Sequence, residues 1–449
     1  MAWHRGSTLS LVWRHVESSS RGRAFHRKRV AASSTARIGQ GPAAPLTASS
    51  AAPPAGGYVQ PGRVVQTTRT GPQEEADATL AAWWNRRLAR QSGAADSLTA
   101  ELVPRLTADV ETHVQELLPS KQHVAQKDEF LQRLQQHLSD TLDGCKVSPF
   151  GSVVNGFWTP HSDIDICVRV PGASTRNAQI NILRKIASAL SHVSRYHVEP
   201  CYGAQVPILR WAPQMPGMVA CDISVNNVLA VVNSRLIGDY VRLDERLLTL
   251  GMCLKSWLQA RGLNDRSRGT LSSFALVLML INFLQRRDPP VLPSLQDIAF
   301  SRSLKPHFIN GIDCRWCADL DEVERELAYL RGAKPPNKET VGTLLYEFLR
   351  YFGSEYRHGV IRIRETRSAL PPADEQGCVF VVDNPFEVGK DVANVDECQH
   401  DVIKKEFRRA ASMLRKGSSF GDLIRSHGVA TASEEKTKPF LNYSSAQKK

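Results

Sequence analysis

The chain has 449 residues, of which 42% are apolar and 23% charged, with 57 Lys and Arg against 45 Asp and Glu. This composition excludes a wholly disordered or fibrous protein, and the length suits two or three domains. The longest apolar run, 274–281, is eight residues. A bilayer crossing needs about 20, so a membrane-spanning helix is excluded as well.

Residues 1–73 hold ten Arg or Lys and a single acid, Glu17, so most of the net charge of +12 lies there and the body is only mildly basic. An acid-poor leader rich in Arg and Ser reads as a mitochondrial or plastid transit peptide. A basic tail on a cytoplasmic protein is the alternative. Helical periodicity follows at Leu80, Trp83, Trp84 and Leu88, then at Leu98, Leu102 and Leu106. A long helical segment then runs to about Leu142, with apolar positions at Val110, Val114, Leu117, Leu134 and Leu138. Short β-branched runs predict strands at 145–150, 164–170, 196–199, 206–211 and 219–225, with a helix over 175–191 between two of them. Helices are predicted at 234–261, 270–286, 319–330 and 338–352, β-like pieces at 360–364 and 379–383, and a last helix at 393–414. The tail from Gly417 is polar, basic and expected to be loose.

These elements predict an α+β fold of two lobes, a small mixed-sheet lobe and a larger helical one. The expected division is a disordered leader at 1–73, N-terminal helices with the mixed-sheet domain at 74–229, a helical domain at 230–415 and a flexible tail at 416–449. Nine scattered cysteines argue for a reducing compartment rather than a disulfide scaffold. Cys314 and Cys317 form the one close pair. With only His307 nearby, two half-buried thiols are expected there and not a metal site.

The chemistry concentrates in two stretches. Gly151-Ser152 lies at a strand-to-helix turn, where a glycine lets a phosphate approach the backbone and the Ser hydroxyl can hold its oxygens. Asp163 and Asp165 follow at i and i+2 on a strand and point to one face, while Ile164, Ile166 and Val168 point to the other. Asp222 sits in a matching apolar strand, where an unpaired charge is costly. Three carboxylates from neighbouring strands suit hard divalent cations, Mg2+ or Mn2+, in a two-metal phosphoryl-transfer site. A lone D-x-D is usually a solvated strand edge; the three features together are far more specific.

Several blocks in order resemble the DNA-polymerase-β-type nucleotidyltransferases, in the branch of terminal uridylyltransferases and poly(A) polymerases. They are PFGSVVNGFWTPHSDIDICV, CDISVNNVLAVVNSRLI, LKSWLQARGLND, GTLSSFALVLMLINFLQ and VVDNPFEVGKDVANV, and the resemblance covers about residues 140–415. It implies a nucleotidyltransferase palm followed by a helical PAP-associated domain, with a nucleotide-recognition loop at 379–395. It implies that Asp163, Asp165 and Asp222 bind two metal ions and that Gly151, Ser152, Lys255 and Ser273 hold the triphosphate. Asn227 would contact the ribose. Lys255 on its own reads as a surface lysine, a reading the resemblance reverses.

Most of the departures fall at the base. Phe274 stands where many members have a Tyr that stacks on the base; it keeps the stacking face, or is a plain core residue. Gln259 replaces a second phosphate-binding Lys. Asn384 replaces the Asp of D-P-F-E, leaving Pro385, Phe386 and Glu387, and Lys390 stands where uridine-specific members often carry a His. The expected activity is template-independent addition of UMP, slightly favoured, or AMP to RNA 3′ ends. Its expected partners are UTP or ATP and a single-stranded RNA 3′ end, with no membrane; protein partners of an RNA-processing complex are left open. Other acceptors, and a catalytically weak RNA-binding scaffold, are the competing readings. Lys404-Lys405 and Arg408-Arg409 are either RNA contacts or a solvated helix face.

Overall fold

The computed structural model describes residues 97–193, 196–214, 219–356, 359–365 and 379–425. The leader, the periodic segment at 80–88, Cys378 and the end of the tail lie outside them. The expected long N-terminal helix is two helices, α1 (Leu102–Leu117) and α2 (Lys121–Ser139). Pro119 drives the preceding Leu118 into an extended conformation, and Ser120 caps α2 in a reciprocal capping box with His123. The two helices bury their apolar faces in different cores. Leu106, Val110 and Val114 of α1 join the helical lobe, whereas Val124, Leu134 and Leu138 of α2 cover the sheet.

The mixed-sheet lobe continues with β1 (Lys146–Phe150), a short α3 (Ser152–Asn155), β2 (Ile164–Arg169), α4 (Arg176–Leu190), β3 (Tyr196–Cys201), β4 (Ile208–Pro213) and β5 (Cys221–Val225). The sheet order is β1-β2-β5-β4-β3, with β2 and β5 parallel and the other neighbours antiparallel. Ile164, Ile166 and Val168 are fully buried, and α4 packs Leu183, Ile186 and Leu190 into the same core.

The helical lobe begins with α5 (Val228–Leu243) and α6 (Glu245–Ala260). The sequence predicts one helix over 234–261. The chain breaks at Asp244, which is extended (φ −149°, ψ 119°) and whose side chain accepts the Arg246 N–H as the cap of α6. No proline or glycine marks this break, so the apolar period runs across it. A 3₁₀ turn (Arg266–Arg268), the all-round apolar α7 (Ser273–Gln285), α8 (Leu295–Ser301) and a hairpin of β6 (Phe308–Ile309) and β7 (Ile312–Asp313) come next. Helices α9 (Leu320–Arg331) and α10 (Val341–Arg350) follow, then β8 (Val360–Ile361) and β9 (Val381–Val382), which pair in parallel. The last elements among the described residues are α11 (Glu397–Arg415) and α12 (Phe420–Arg425).

Helix α12 corrects the expectation of a loose tail from Gly417, because Phe420 and Leu423 are buried in the helical core. Cys314 and Cys317 are fully buried rather than half-buried, and each thiol donates to a backbone carbonyl. Burial pushes both thiols up. No helix among the described residues is long and apolar enough to cross a membrane.

Candidate active site

Strand β1 ends at Phe150, which stands opposite Asp165, and the chain then turns sharply through Gly151 at φ +66°. A Cβ at position 151 would lie 2.1 Å from Asp165 Oδ2, so only glycine lets the turn lie against this carboxylate. The Gly151 N–H donates to Ser234 Oγ at 2.8 Å, and Ser234, 5% exposed on α5, donates in turn to Ala230 O. Ser152 opens α3 beside this turn.

Asp165 and Asp222 are partners in the β2–β5 ladder, so their side chains share a face. Asp163 is exposed just before β2 begins. Burial, with Asp222 and Asp163 close by, pushes the Asp165 carboxyl up to about 7, and Lys255 opposes the shift. Asp222 is raised by burial, against the pull of Arg210, whose Nε donates to Asp222 Oδ1 at 3.3 Å. Lys255 of α6 is lowered by burial, and its Nζ donates to Phe157 O at 3.3 Å. Among the described residues no three His, Cys, Asp or Glu groups close on one point. Asp222 is instead drawn toward Arg210. The donor set nonetheless fits a hard cation. It is all carboxylate oxygen, and the mutual repulsion of three acids is what a divalent ion relieves.

Asn226 and Asn227 divide their work. Asn226, at φ 52°, clamps the Val170 N–H and the Val170 and Ala173 carbonyls, whereas Asn227 opens α5 with no side-chain cap bond. Further along α5 lies Asn233, which the sequence reading did not single out; its Oδ1 is buried without a partner. Ser234 and Arg210 were missed as well. The only signal for Ser234 and Asn233 is a polar pair inside an otherwise apolar helical face.

The other expected residues gather around α7 and the 379–395 loop. Ser273 Oγ donates to Asn264 Oδ1 at 2.9 Å, and the half-buried Phe274 packs on the helical core. Ser272 caps α7 and its hydroxyl donates to Val392 O, which ties the helix to the loop. Asn384 is 5% exposed, and its Oδ1 accepts the Phe386 and Glu387 N–H groups. Its side chain therefore shapes the turn, which the sequence reading did not anticipate for a base-reading position. Lys390 Nζ is held by both Glu387 oxygens, at 2.9 and 2.8 Å. Gln259 is exposed. In the basic stretch of α11, Lys404 donates to Tyr356 O and Arg409 is paired with Glu406, which leaves Lys405 and Arg408 exposed.

Residues 106–242 match the family model of the central palm domain of mitochondrial-like poly(A) RNA polymerases. The chain is 28% identical over 316 residues to the poly(A) RNA polymerase cid11 of Schizosaccharomyces pombe, covering 68% of this chain and 61% of that one. It is 30% identical over 289 residues to human terminal uridylyltransferase 7, covering 63% of this chain and 19% of that one. The chain thus spans less than two thirds of either relative. A structure of the Cid1 poly(U) polymerase with MgGTP bound superposes with a TM-score of 0.61 at 24% identity, over 71% of this chain and 98% of that one. Residues 106–242 thus carry the palm of the mitochondrial-like poly(A) RNA polymerases, and the relatives the chain resembles are poly(A) RNA polymerases and terminal uridylyltransferases.

Proposed function

We propose that the protein is a template-independent RNA nucleotidyltransferase that adds UMP to RNA 3′ ends. The observation that carries this reading is the ladder pairing of Asp165 with Asp222, with the Gly151 turn pressed against Asp165. In this reading the RNA 3′ hydroxyl attacks the α-phosphate of the nucleotide, the bond to the bridging oxygen breaks, and pyrophosphate leaves. Asp163, Asp165 and Asp222 would hold two Mg2+ ions, with Mn2+ as a substitute, and the ions supply charge neutralisation and activation of the hydroxyl. Magnesium also accompanies the nucleotide in the Cid1 neighbour.

The chain's own residues then bind and orient. Gly151 and Ser152 cradle the triphosphate with backbone and hydroxyl donors, and Ser234 fixes the angle of that turn from α5. Lys255, held at Phe157 O on the rim of the carboxylates, neutralises phosphate charge, and Ser273 adds a hydroxyl. Asn227 contacts the ribose, and Phe274 offers a ring face to the base. Asn384 acts through the backbone by closing the turn, so the Glu387–Lys390 pair is the polar element that reads the base. A paired donor and acceptor fits the edge of uracil and equally that of adenine; the retained Pro385-Phe386-Glu387 element favours UMP, and AMP addition is the second reading, favoured by the match to poly(A) polymerases. The same palm family supports a mitochondrial site of action.

Primer extension of a short single-stranded RNA by the full chain, with each NTP alone, tests the reading. A UTP ladder abolished by Asp163→Ala is expected. An ATP ladder would replace the base preference, and no ladder with any NTP would bring forward the scaffold reading.

A further inference from the structure

The strand order gives the site a direction. Across the sheet, the residues in register run Phe150, Asp165, Asp222, Arg210 and Glu199, on β1, β2, β5, β4 and β3. Partners in register share a face, so the catalytic row continues past Asp222 into a cation and a further acid. The Gly151 turn lies at the β1 end, against Asp165. Arg210 lies on the other side of Asp222. Phosphoryl transfer places the attacking and leaving oxygens roughly in line, on opposite sides of the phosphorus. With the triphosphate on the Gly151 turn, an RNA hydroxyl approaching along this row comes from the β4 side, where the cation beside Asp222 is Arg210.

Arg210 is built to be given up. Its side chain is 44% exposed; Nε lies 3.3 Å from Asp222 Oδ1 and Nη1 lies 3.5 Å from Glu199 Oε2. Neither is the short bidentate pairing that locks a guanidinium in place, and three of its five N–H donors are left over. We propose that Arg210 is the acceptor-side contact of the site: it binds the terminal phosphodiester of the RNA, and without RNA it rests on Asp222. The proposal rests on the nucleotidyltransferase reading and adds the acceptor's position to it. While it rests on Asp222, the guanidinium competes with any cation for that carboxylate. RNA draws it away, so RNA and the divalent ion bind with positive coupling.

Two binding measurements on the full chain test this: anisotropy of a labelled single-stranded RNA without NTP, and Mn2+ titration with and without RNA. Arg210→Ala should weaken RNA binding about tenfold or more. It should also flatten the salt dependence of binding by about 0.7 in log–log slope. In steady-state assays it should raise KM for RNA and leave KM for the NTP unchanged. Without RNA it should bind Mn2+ more tightly than the wild type, because the competing cation is gone. Arg210→Lys should keep most of the RNA affinity as a point charge, and Arg210→Gln serves if the Ala variant does not fold. Unchanged RNA affinity in Arg210→Ala, or weaker Mn2+ binding with RNA affinity intact, would reduce Arg210 to a support for Asp222 and overturn the proposal. A wild-type chain that binds RNA through Arg210 yet extends it with no NTP would instead overturn the reading of function and leave the contact standing.

Discussion

At position 151 two constraints meet that a single substitution can separate. The backbone is left-handed at φ +66°, and the space a Cβ would take is already held by the Asp165 carboxylate. Gly144 shares the left-handed backbone, at φ +65°, but has nothing within 4 Å of a Cβ. Gly144→Ala should therefore cost only the backbone strain, about 1 kcal/mol in a urea titration. Gly151→Ala carries that cost and also displaces Asp165 from its place beside Asp222, so nucleotidyl transfer should fall at least about 100-fold, by analogy with losing a preorganised electrostatic group. Equal activity in the two variants would show that Asp165 has room to move. This site was legible in the sequence because glycine, hydroxyl and carboxylates at fixed spacing have few other uses. Asn384 was legible only in part: its identity marked the loop, but that its oxygen is spent on two backbone N–H groups depends on the turn closing.

Among the elements, breaks with a chemical mark were visible in principle and breaks without one were not. Pro119 and Ser120 separate α1 from α2 by rules that can be read locally, whereas Asp244 separates α5 from α6 only because both helices have apolar faces to bury around it. The short α8 and α12 are held by tertiary packing and carry no periodic run long enough to read. Helix α11 shows how packing also fixes a proton. The ring of His400, 4% exposed, sits against Phe380, and its Nδ1 accepts the Phe380 N–H at 3.2 Å, which requires the neutral imidazole. Burial lowers the His400 pKa from 6.5, Lys404 lowers it further, and Asp401 opposes. The unfolded chain therefore takes up this proton first as pH falls. The contribution is fully present above about pH 6.5 and is lost as pH drops toward the folded value. The urea midpoint of the wild type should lead that of His400→Gln most at pH 7.5, and the gap should narrow by pH 5.5. A gap that does not change with pH would mean that His400 packs without its proton mattering.

For the molecule as a whole, the cleft depends on how the two lobes meet, and no local pattern announces that. The joint is a ring set against a glycine. Phe157 leaves the mixed-sheet lobe between α3 and β2 and is buried in the helical core. A Cβ on Gly251 of α6 would lie 2.2 Å from its Cε1. Four residues further along α6, Lys255 Nζ holds the Phe157 carbonyl, so the same contact that seats the lobes also aims the lysine beside Asp165. Gly251→Ala should overpack this joint, costing about 1–3 kcal/mol. Because Phe157 must move, Lys255 loses its rest, and KM for the NTP should rise while RNA affinity holds. Shortening the ring in the double variant Gly251→Ala/Phe157→Leu should recover part of the stability, since the added methyl then fills space the ring gave up. Thermal unfolding of the four variants of this cycle, read beside KM for the NTP, measures both effects on one contact. Additive stability losses would show that the two residues do not share the joint, and a recovery of stability with no recovery of KM would separate the seating of the lobes from the aim of Lys255.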